Sequence, residues 1–170
     1  QFEHLTNLVN SDFTGKQGLD SVVPLIVPTQ CFDGGKIDFP RLQLPKKELS
    51  LCWVVLSDLQ TMLYVNQKTA HNWKGVVADW QAVAMRNLRK RTSGRIATHE
   101  KRNDSGKLQY ILMMQPDGLG TSRLLLSEKI RNEFPEGYKV GIPERSMGVA
   151  ISKNVNEPFA TEVSDLIKKC

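Results

Sequence analysis

The sequence predicts an α+β fold in which three strand-strand-helix units form a mainly antiparallel sheet, with the helices packed on the sheet. Pairs of short apolar segments are joined by turn residues, which is typical of hairpins and therefore of antiparallel pairing. Each pair is followed by a segment whose apolar residues recur at helical spacing. This order occurs three times at a period of roughly 40 residues, although the units share no clear residue identity.

The predicted α+β domain spans residues 21–170, and residues 1–20 are interpreted as the tail of a helix followed by a linker. Because the chain begins with glutamine instead of methionine, we expect that its start has been trimmed or processed. Val22–Val27 is apolar, but Pro24 cannot donate a ladder hydrogen bond, which predicts an edge strand. Three prolines and a Gly-Gly pair indicate a long irregular loop over residues 28–50.

In the first unit, Leu51–Leu56 and Met62–Asn66 have the composition of strands. The helical spacing of apolar residues then predicts a helix over Val76–Arg91. Trp73 and His71 precede this helix in a predicted polar connection, where the indole is placed to act as a hydrophobic staple. The predicted inner stripe of the helix consists of Val76, Trp80, Ala84 and Leu88.

The second unit has good turn chemistry at 103–106, and Tyr110–Met114 is apolar at every position, which predicts a central strand. A helix is expected from about Thr121, with Leu126, Ile130 and Phe134 as its inner stripe. The third unit is a predicted hairpin that turns at 143–146, followed by a helix that Asn156 can cap. The predicted strands of these two units are Arg95–Lys101, Leu108–Gln115, Tyr138–Ile142 and Met147–Ile151.

The net charge of +5 is concentrated in one segment, since residues 86–107 contain eight lysines and arginines against two acidic residues. A local excess of positive charge favours an anionic partner such as nucleic acid. No aromatic residue lies in this segment, however, and cations at a helix end also complement the helix dipole, so the solvated helix end is the preferred interpretation. The candidate basic patch consists of Arg86, Arg89, Lys90, Arg91, Arg95 and Arg102.

The three cysteines, Cys31, Cys52 and Cys170, fit no zinc-binding spacing, and their odd number argues against a disulfide framework. We therefore expect a reducing, cytoplasmic location, with Cys52 packed as a small hydrophobic residue. No run of eighteen apolar residues occurs, so no membrane partner is expected. The histidines have no partner at ligand spacing, and we predict neither a metal nor a cofactor.

The strongest candidate for a ligand site is the turn that enters the second predicted helix, Asp117–Arg123. A glycine-containing loop at a helix start can present backbone N–H groups to an anion. The alternative is a purely structural tight turn in which Thr121 or Ser122 caps the helix. This structural interpretation is favoured because neither a P-loop nor a dinucleotide fingerprint is present. The candidate ligand-binding residues are Asp117, Gly118, Gly120, Thr121, Ser122 and Arg123.

Four segments in this order resemble the YtpQ-like bacterial proteins, a domain family of unknown function. They are SVVPLIVPTQ (21–30), AMRNLRKR (84–91), PDGLGTSRLLL (116–126) and YKVGIPERSMGVAIS (138–152). The resemblance covers roughly residues 21–155, and it departs from the family pattern at Ser146-Met147, where relatives often carry an acidic residue. It implies an α+β domain of a mostly bacterial, cytoplasmic family with no established activity. The residues that match its motifs are Asn87, Asp117, Ser122, Arg123 and Pro143.

Three functions are compatible with these observations. The first is a non-enzymatic interaction or binding module with a protein partner, which is favoured because the sequence contains no evident nucleophile or metal constellation. The second is the binding or turnover of an anionic small molecule at the Asp117–Arg123 turn. The third is nucleic-acid binding through the basic patch of residues 86–107, which ranks below the other two. An enzymatic activity therefore stays open but is not the preferred interpretation.

Overall fold

The computed structural model describes residues 15–32, 38–45, 48–57 and 61–169. Within these residues it has helices and two antiparallel sheets, which confirms the predicted α+β class. The chain divides into two compact units at the boundary between Arg91 and Thr92. The single domain predicted for residues 21–170 stays a prediction. The predicted helix tail at 2–10 lies outside the described residues, as do parts of the 28–50 loop and Cys170.

The first unit is built around one long strand, β3, which is apolar along most of its length. Its described elements are α1 (Lys16–Ser21), β1 (Val22–Pro28), a 3-10 helix (Thr29–Phe32), β2 (Leu42–Gln43), β3 (Leu49–Leu56), β4 (Met62–Tyr64), α2 (Gln67–Val76) and α3 (Trp80–Arg91). Strand β1 pairs antiparallel with β3 from Val22 opposite Val55 to Pro28 opposite Leu49. Strands β2 and β4 pair with β3 as well, so they share its other edge. Among the described strands β1 is therefore an edge strand, as Pro24 predicts.

Three tryptophans form the centre of the core in this unit. Trp53 of β3 and Trp80 of α3 have ring centroids 5.1 Å apart, and Trp73 of α2 lies 5.4 Å from Trp80. All three side chains are buried, and aromatic pairs at such distances and inclined angles are stabilising beyond the area they bury. The predicted inner position of Trp80 is thus confirmed and Trp53 packs beside it, whereas the staple role of Trp73 is wrong.

Trp73 belongs to a helix that the sequence did not predict. Helix α2 begins after Asn66, whose side-chain oxygen accepts a hydrogen bond from the Thr69 N–H at 2.8 Å, a typical N-cap. The chain becomes extended at Val77 before α3 begins, so the predicted helix over 76–91 is in fact the end of α2 and the whole of α3. Val76 is 71% exposed and does not belong to the inner stripe. The other members of that stripe, Trp80, Ala84 and Leu88, are buried as predicted.

A second correction concerns the predicted linker, because α1 occupies its last residues. Leu19 of α1 is buried in the tryptophan core, and this burial stabilises a helical turn that the local glycines disfavour. Asn87 of α3 holds the junction between α1 and β1, since its Nδ2 donates to Leu19 O and Val22 O, both at 2.9 Å. Asn87, one of the motif residues of the family resemblance, therefore has a structural role here.

The second unit contains four antiparallel strands in the order β5-β6-β8-β7. Its described elements are β5 (His99–Arg102), β6 (Leu108–Met113), a 3-10 helix (Thr121–Leu125), α4 (Ser127–Glu133), β7 (Tyr138–Glu144), β8 (Met147–Ser152) and α5 (Glu157–Lys169). Strand β6 pairs with β5 on one side and with β8 on the other, so the central strand predicted at 110–114 is confirmed. The first strand is shorter than predicted, because it begins at His99 instead of Arg95.

Helical segments contact both faces of this sheet, α5 on one face and the 3-10 helix on the other. Tyr110 lies opposite Ile151 on one face, and they pack with Val163 of α5 in one apolar cluster. Met113 lies opposite Gly148 on the other face, where an added Cβ at Gly148 would come within 3.2 Å of Leu124 in the 3-10 helix. The apolar composition of β6 on both alternating sets of positions is consistent with this double burial.

Helix α4 and the 3-10 helix before it replace the single helix predicted from Thr121. Leu126, Ile130 and Phe134 are buried, so the predicted inner stripe is confirmed. Helix α5 begins directly after Asn156, as predicted. None of the helices in the described part of the chain is long and apolar enough to cross a membrane.

Candidate functional site

The Asp117–Arg123 turn is held together by a buried ion pair. Arg123 Nη1 donates to Asp117 Oδ1 at 2.8 Å, and Nη2 donates to Oδ2 at 2.7 Å. This bidentate geometry is the strongest form of an arginine–carboxylate contact. The Arg123 side chain is 1% exposed and that of Asp117 is 23% exposed, so the positive charge faces the interior of the second unit and is already neutralised there.

The two glycines of this turn allow the backbone to follow its path. Gly118 has a φ of 68°, the left-handed region in which glycine is favoured. Gly120 has a φ of −53°, which any residue adopts, but a Cβ there would lie 2.0 Å from Ser146 O and 2.2 Å from Met113 O. Gly120 is therefore required for space, since the backbone passes between the end of β6 and the turn of the β7–β8 hairpin.

Thr121 fastens the turn to the same hairpin. Its Oγ1 lies 2.6 Å from Glu144 O and 3.0 Å from Met147 O, and its N–H donates to Arg145 O at 3.3 Å. The 3-10 helix that follows has no side-chain cap, so the predicted capping role of Thr121 or Ser122 is wrong. The hydroxyl of Thr121 is instead used for tertiary contacts.

Two polar atoms of the turn lack partners within the described part of the chain. They are Ser122 Oγ and Arg123 Nε, and both are buried. A buried polar group without a hydrogen bond costs stability, so these two atoms destabilise the turn that the ion pair stabilises. The six residues predicted from the sequence are thus brought together, but the geometry gives them a structural role, and their binding role stays a prediction.

The predicted basic patch is divided between the two units. Arg86, Arg89, Lys90 and Arg91 lie on α3 and are exposed, and the last three occupy its final turn, where cations complement the helix dipole. In the second unit, Arg95 and Arg102 both contact the Glu100 carboxylate, Arg102 Nε at 3.1 Å. The hydrogen bond from Arg102, and then the charges of the two arginines, lower the pKa of Glu100. Part of the positive charge of the second unit is therefore compensated by Glu100.

A cleft of about 370 Å³ lies between strand β6 and helix α5 of the second unit, and the sequence did not predict it. Strand β6 supplies its floor with Tyr110 and Leu112. Helix α5 supplies the wall with two apolar and two acidic side chains. These four residues are Glu162, Val163, Asp165 and Leu166.

The position of α5 on the sheet explains why the cleft exists. The helix packs over β8 and contacts β7, where Gly141 leaves room for Ile167, but β5 at the opposite edge is exposed along its whole length. The face of the sheet beside β6 is therefore only partly covered. His99 and Lys101 of β5 lie opposite Leu112 and Tyr110 and so project from the same face.

One hydrogen bond crosses the cleft. The Tyr110 hydroxyl donates to Glu162 Oε1 at 2.9 Å, and the Tyr110 side chain is buried. Burial, followed by the hydrogen bond and the negative charge of Glu162, raises the pKa of Tyr110 to about 12 from 10.0. The phenol is therefore neutral near pH 7 and fixes one oxygen of the Glu162 carboxylate.

We predict that the stability of Tyr110→Phe falls less at alkaline pH than the stability of the parent protein does. Between pH 10 and 12 the phenol ionises in the unfolded chain and stays protonated in the folded one, so ionisation favours unfolding and stability falls as the pH rises. Urea unfolding at a series of pH values should show a shallower fall for the variant, together with a loss of about 1 kcal/mol near pH 7 for the hydrogen bond. Equal slopes for parent and variant over this range would contradict the assignment.

The remaining sequence candidates do not assemble into a reactive group in the described residues. Cys52 is buried and its Sγ contacts Leu25 O at 3.6 Å, and burial raises the pKa of its thiol to about 12, which keeps it protonated and unreactive. Its predicted packing as a small hydrophobic residue is confirmed. No group of three or more His, Cys, Asp or Glu side chains suited to hold a metal occurs in the part of the chain that the structure describes.

Comparison with known proteins gives no family for this chain. No protein-family model matches it, and neither a curated protein nor a solved structure does. The resemblance to YtpQ-like proteins consequently rests on the order of four sequence segments alone.

Proposed function

We propose that the protein is a non-enzymatic interaction module and that its second unit contacts a partner protein through the cleft between β6 and α5. The observation that carries this proposal is the cleft itself, a concave site with apolar floor residues and polar groups at the rim. Sites of this kind combine apolar burial with a few oriented polar groups that provide specificity. Leu112 and Leu166 supply the apolar surface above the buried Val163, and Tyr110 and Glu162 supply an oriented polar pair.

The two alternative functions have weaker support. An anion at the Asp117–Arg123 turn would compete with Asp117 for a guanidinium that is 1% exposed. A nucleic acid at the basic patch would meet cations of which two already pair with Glu100. Membership of the YtpQ-like family, with the bacterial origin and cytoplasmic location it implies, also stays a proposal that the four sequence segments support.

The proposal is tested with a random-sequence peptide library panned against the full chain, followed by mapping of the enriched peptides on the amide spectrum of the protein. We expect enriched peptides to shift the amide signals of Leu112, Val163 and Leu166. Leu112→Trp places an indole in the cleft and should weaken these peptides by about tenfold or more, because even 1.4 kcal/mol of lost contact has that effect.

The matched control is Leu42→Trp, the same substitution at an exposed site on β2 of the first unit. It should leave peptide affinity unchanged. Thermal unfolding of both variants shows whether either substitution disturbs the fold. A library that enriches no peptide mapping to the cleft would overturn the proposed function.

A further inference from the structure

We infer that the cleft between β6 and α5 receives the cationic side chain of an arginine or lysine presented by a partner polypeptide. This inference rests on the proposed function and adds the chemistry of the group that is recognised. It follows from the carboxylates at the rim, from the apolar surface between them and the floor, and from the shape of the cleft.

The carboxylates provide acceptors that no residue in the described part of the chain uses. Glu162 Oε1 accepts the Tyr110 hydroxyl, whereas no described residue donates to Oε2. Asp165 lies one turn further along α5 and also lines the cleft, and its carboxylate has no hydrogen-bond or ion-pair partner among the described residues. Two acceptors on one side of a cleft suit a guanidinium or an ammonium group, which carry several donors and a positive charge.

The apolar lining matches the rest of such a side chain. Leu112 and Leu166, which are half-buried, can contact the methylene stem of lysine or arginine, which packs on apolar surface while its head stays polar. An anionic ligand would gain nothing from the two carboxylates, and a purely apolar ligand would remove them from water without a partner.

The surroundings favour a side chain over a free amine. The cleft is bounded by one strand and one helix, so a ligand inside it would keep one side toward solvent. His99 and Lys101 project from the exposed strand β5 on the same face of the sheet but do not line the cleft. A partner segment that carries a cation into the cleft and a carboxylate near Lys101 would complement both groups, which a small amine cannot do.

The test uses the enriched peptide that maps most clearly to the cleft, with each arginine replaced by citrulline and each lysine by norleucine in turn. We expect one such replacement to weaken binding to the parent protein by about tenfold, a typical effect for a charge-assisted contact. The same replacement should have little effect on binding to Glu162→Gln/Asp165→Asn, which keeps the shape of both side chains. Higher salt should weaken only the complex between the unmodified peptide and the parent protein, because only that complex retains both the cation and the carboxylates.

The matched control is Asp104→Asn/Glu157→Gln, which removes two exposed carboxylates outside the cleft lining. It should preserve the effect of the citrulline or norleucine replacement. A cleft-binding peptide that needs no cation would overturn the inference and leave the proposed function intact. The absence of any cleft-binding peptide would overturn both.

Agmatine, a free guanidinium with an aliphatic stem, should bind far more weakly than the peptide, and equal affinity would contradict the assignment to a polypeptide.

Discussion

Asp117→Ala is expected to lower the free energy of unfolding of the second unit by about 3–5 kcal/mol, the range found when one partner of a buried ion pair is removed. The reason is the 1% exposure of Arg123, whose charge would remain inside the protein without its bidentate partner. The N–H of Leu119, which donates to Asp117 Oδ1 at 3.1 Å, would lose its acceptor as well. Urea unfolding followed by circular dichroism measures the change.

Two controls separate charge burial from lost packing. Asp117→Ala/Arg123→Met removes the charge together with its partner, and it should recover a large part of the lost stability because a methionine can occupy the apolar surroundings. Glu100→Ala removes a carboxylate from an ion pair at the surface, and it should change stability far less. A loss at Asp117→Ala as small as that at Glu100→Ala would show that the buried pair does not organise the turn.

Gly120→Ala is expected to destabilise the second unit by at least about 3 kcal/mol, at the upper end of the range for overpacking. The added Cβ would meet two backbone oxygens, those of Ser146 and Met113, at 2.0 and 2.2 Å, and backbone atoms cannot move aside as a side chain can. The turn and the β7–β8 hairpin would have to separate. Thermal unfolding and the dispersion of the amide spectrum would record this change.

Gly75→Ala is the matched control for that prediction. Gly75 lies within α2, and an added Cβ there would have no neighbour within 4 Å. The same substitution should stabilise the protein by about 0.5–1 kcal/mol, since alanine loses less conformational entropy than glycine in a helix. Equal effects at the two glycines would contradict the close approach of Gly120 to the hairpin.

The parts of the fold that were predicted correctly are those that local patterns determine. Strand β6 is apolar at successive positions and proved central, and the stripe of Leu126, Ile130 and Phe134 is buried at helical spacing. Helix α2 was missed because its sequence is polar on average, and its stability depends on the Asn66 cap and on the burial of Trp73 in a tertiary core.

The site was harder to predict than the fold. The residues of the Asp117–Arg123 turn would suit both an anion site and an internal ion pair. Only the fold shows that Asp117 and Arg123 bind each other. The cleft joins Tyr110 to Glu162 across 52 positions of sequence, so no spacing rule connects them. The available signal was the pair of acidic residues, Glu162 and Asp165, beside the apolar stripe of α5.

The most direct test of this account is an amide chemical-shift map of the full chain titrated with the arginine- or lysine-containing peptide selected for the cleft. We predict the largest changes at Leu112, Val163 and Leu166, and none at Gly118–Arg123, whose polar groups contact the interior of the second unit. Changes centred on Gly118–Arg123, with the cleft residues unaffected, would contradict it and would favour ligand binding at the turn.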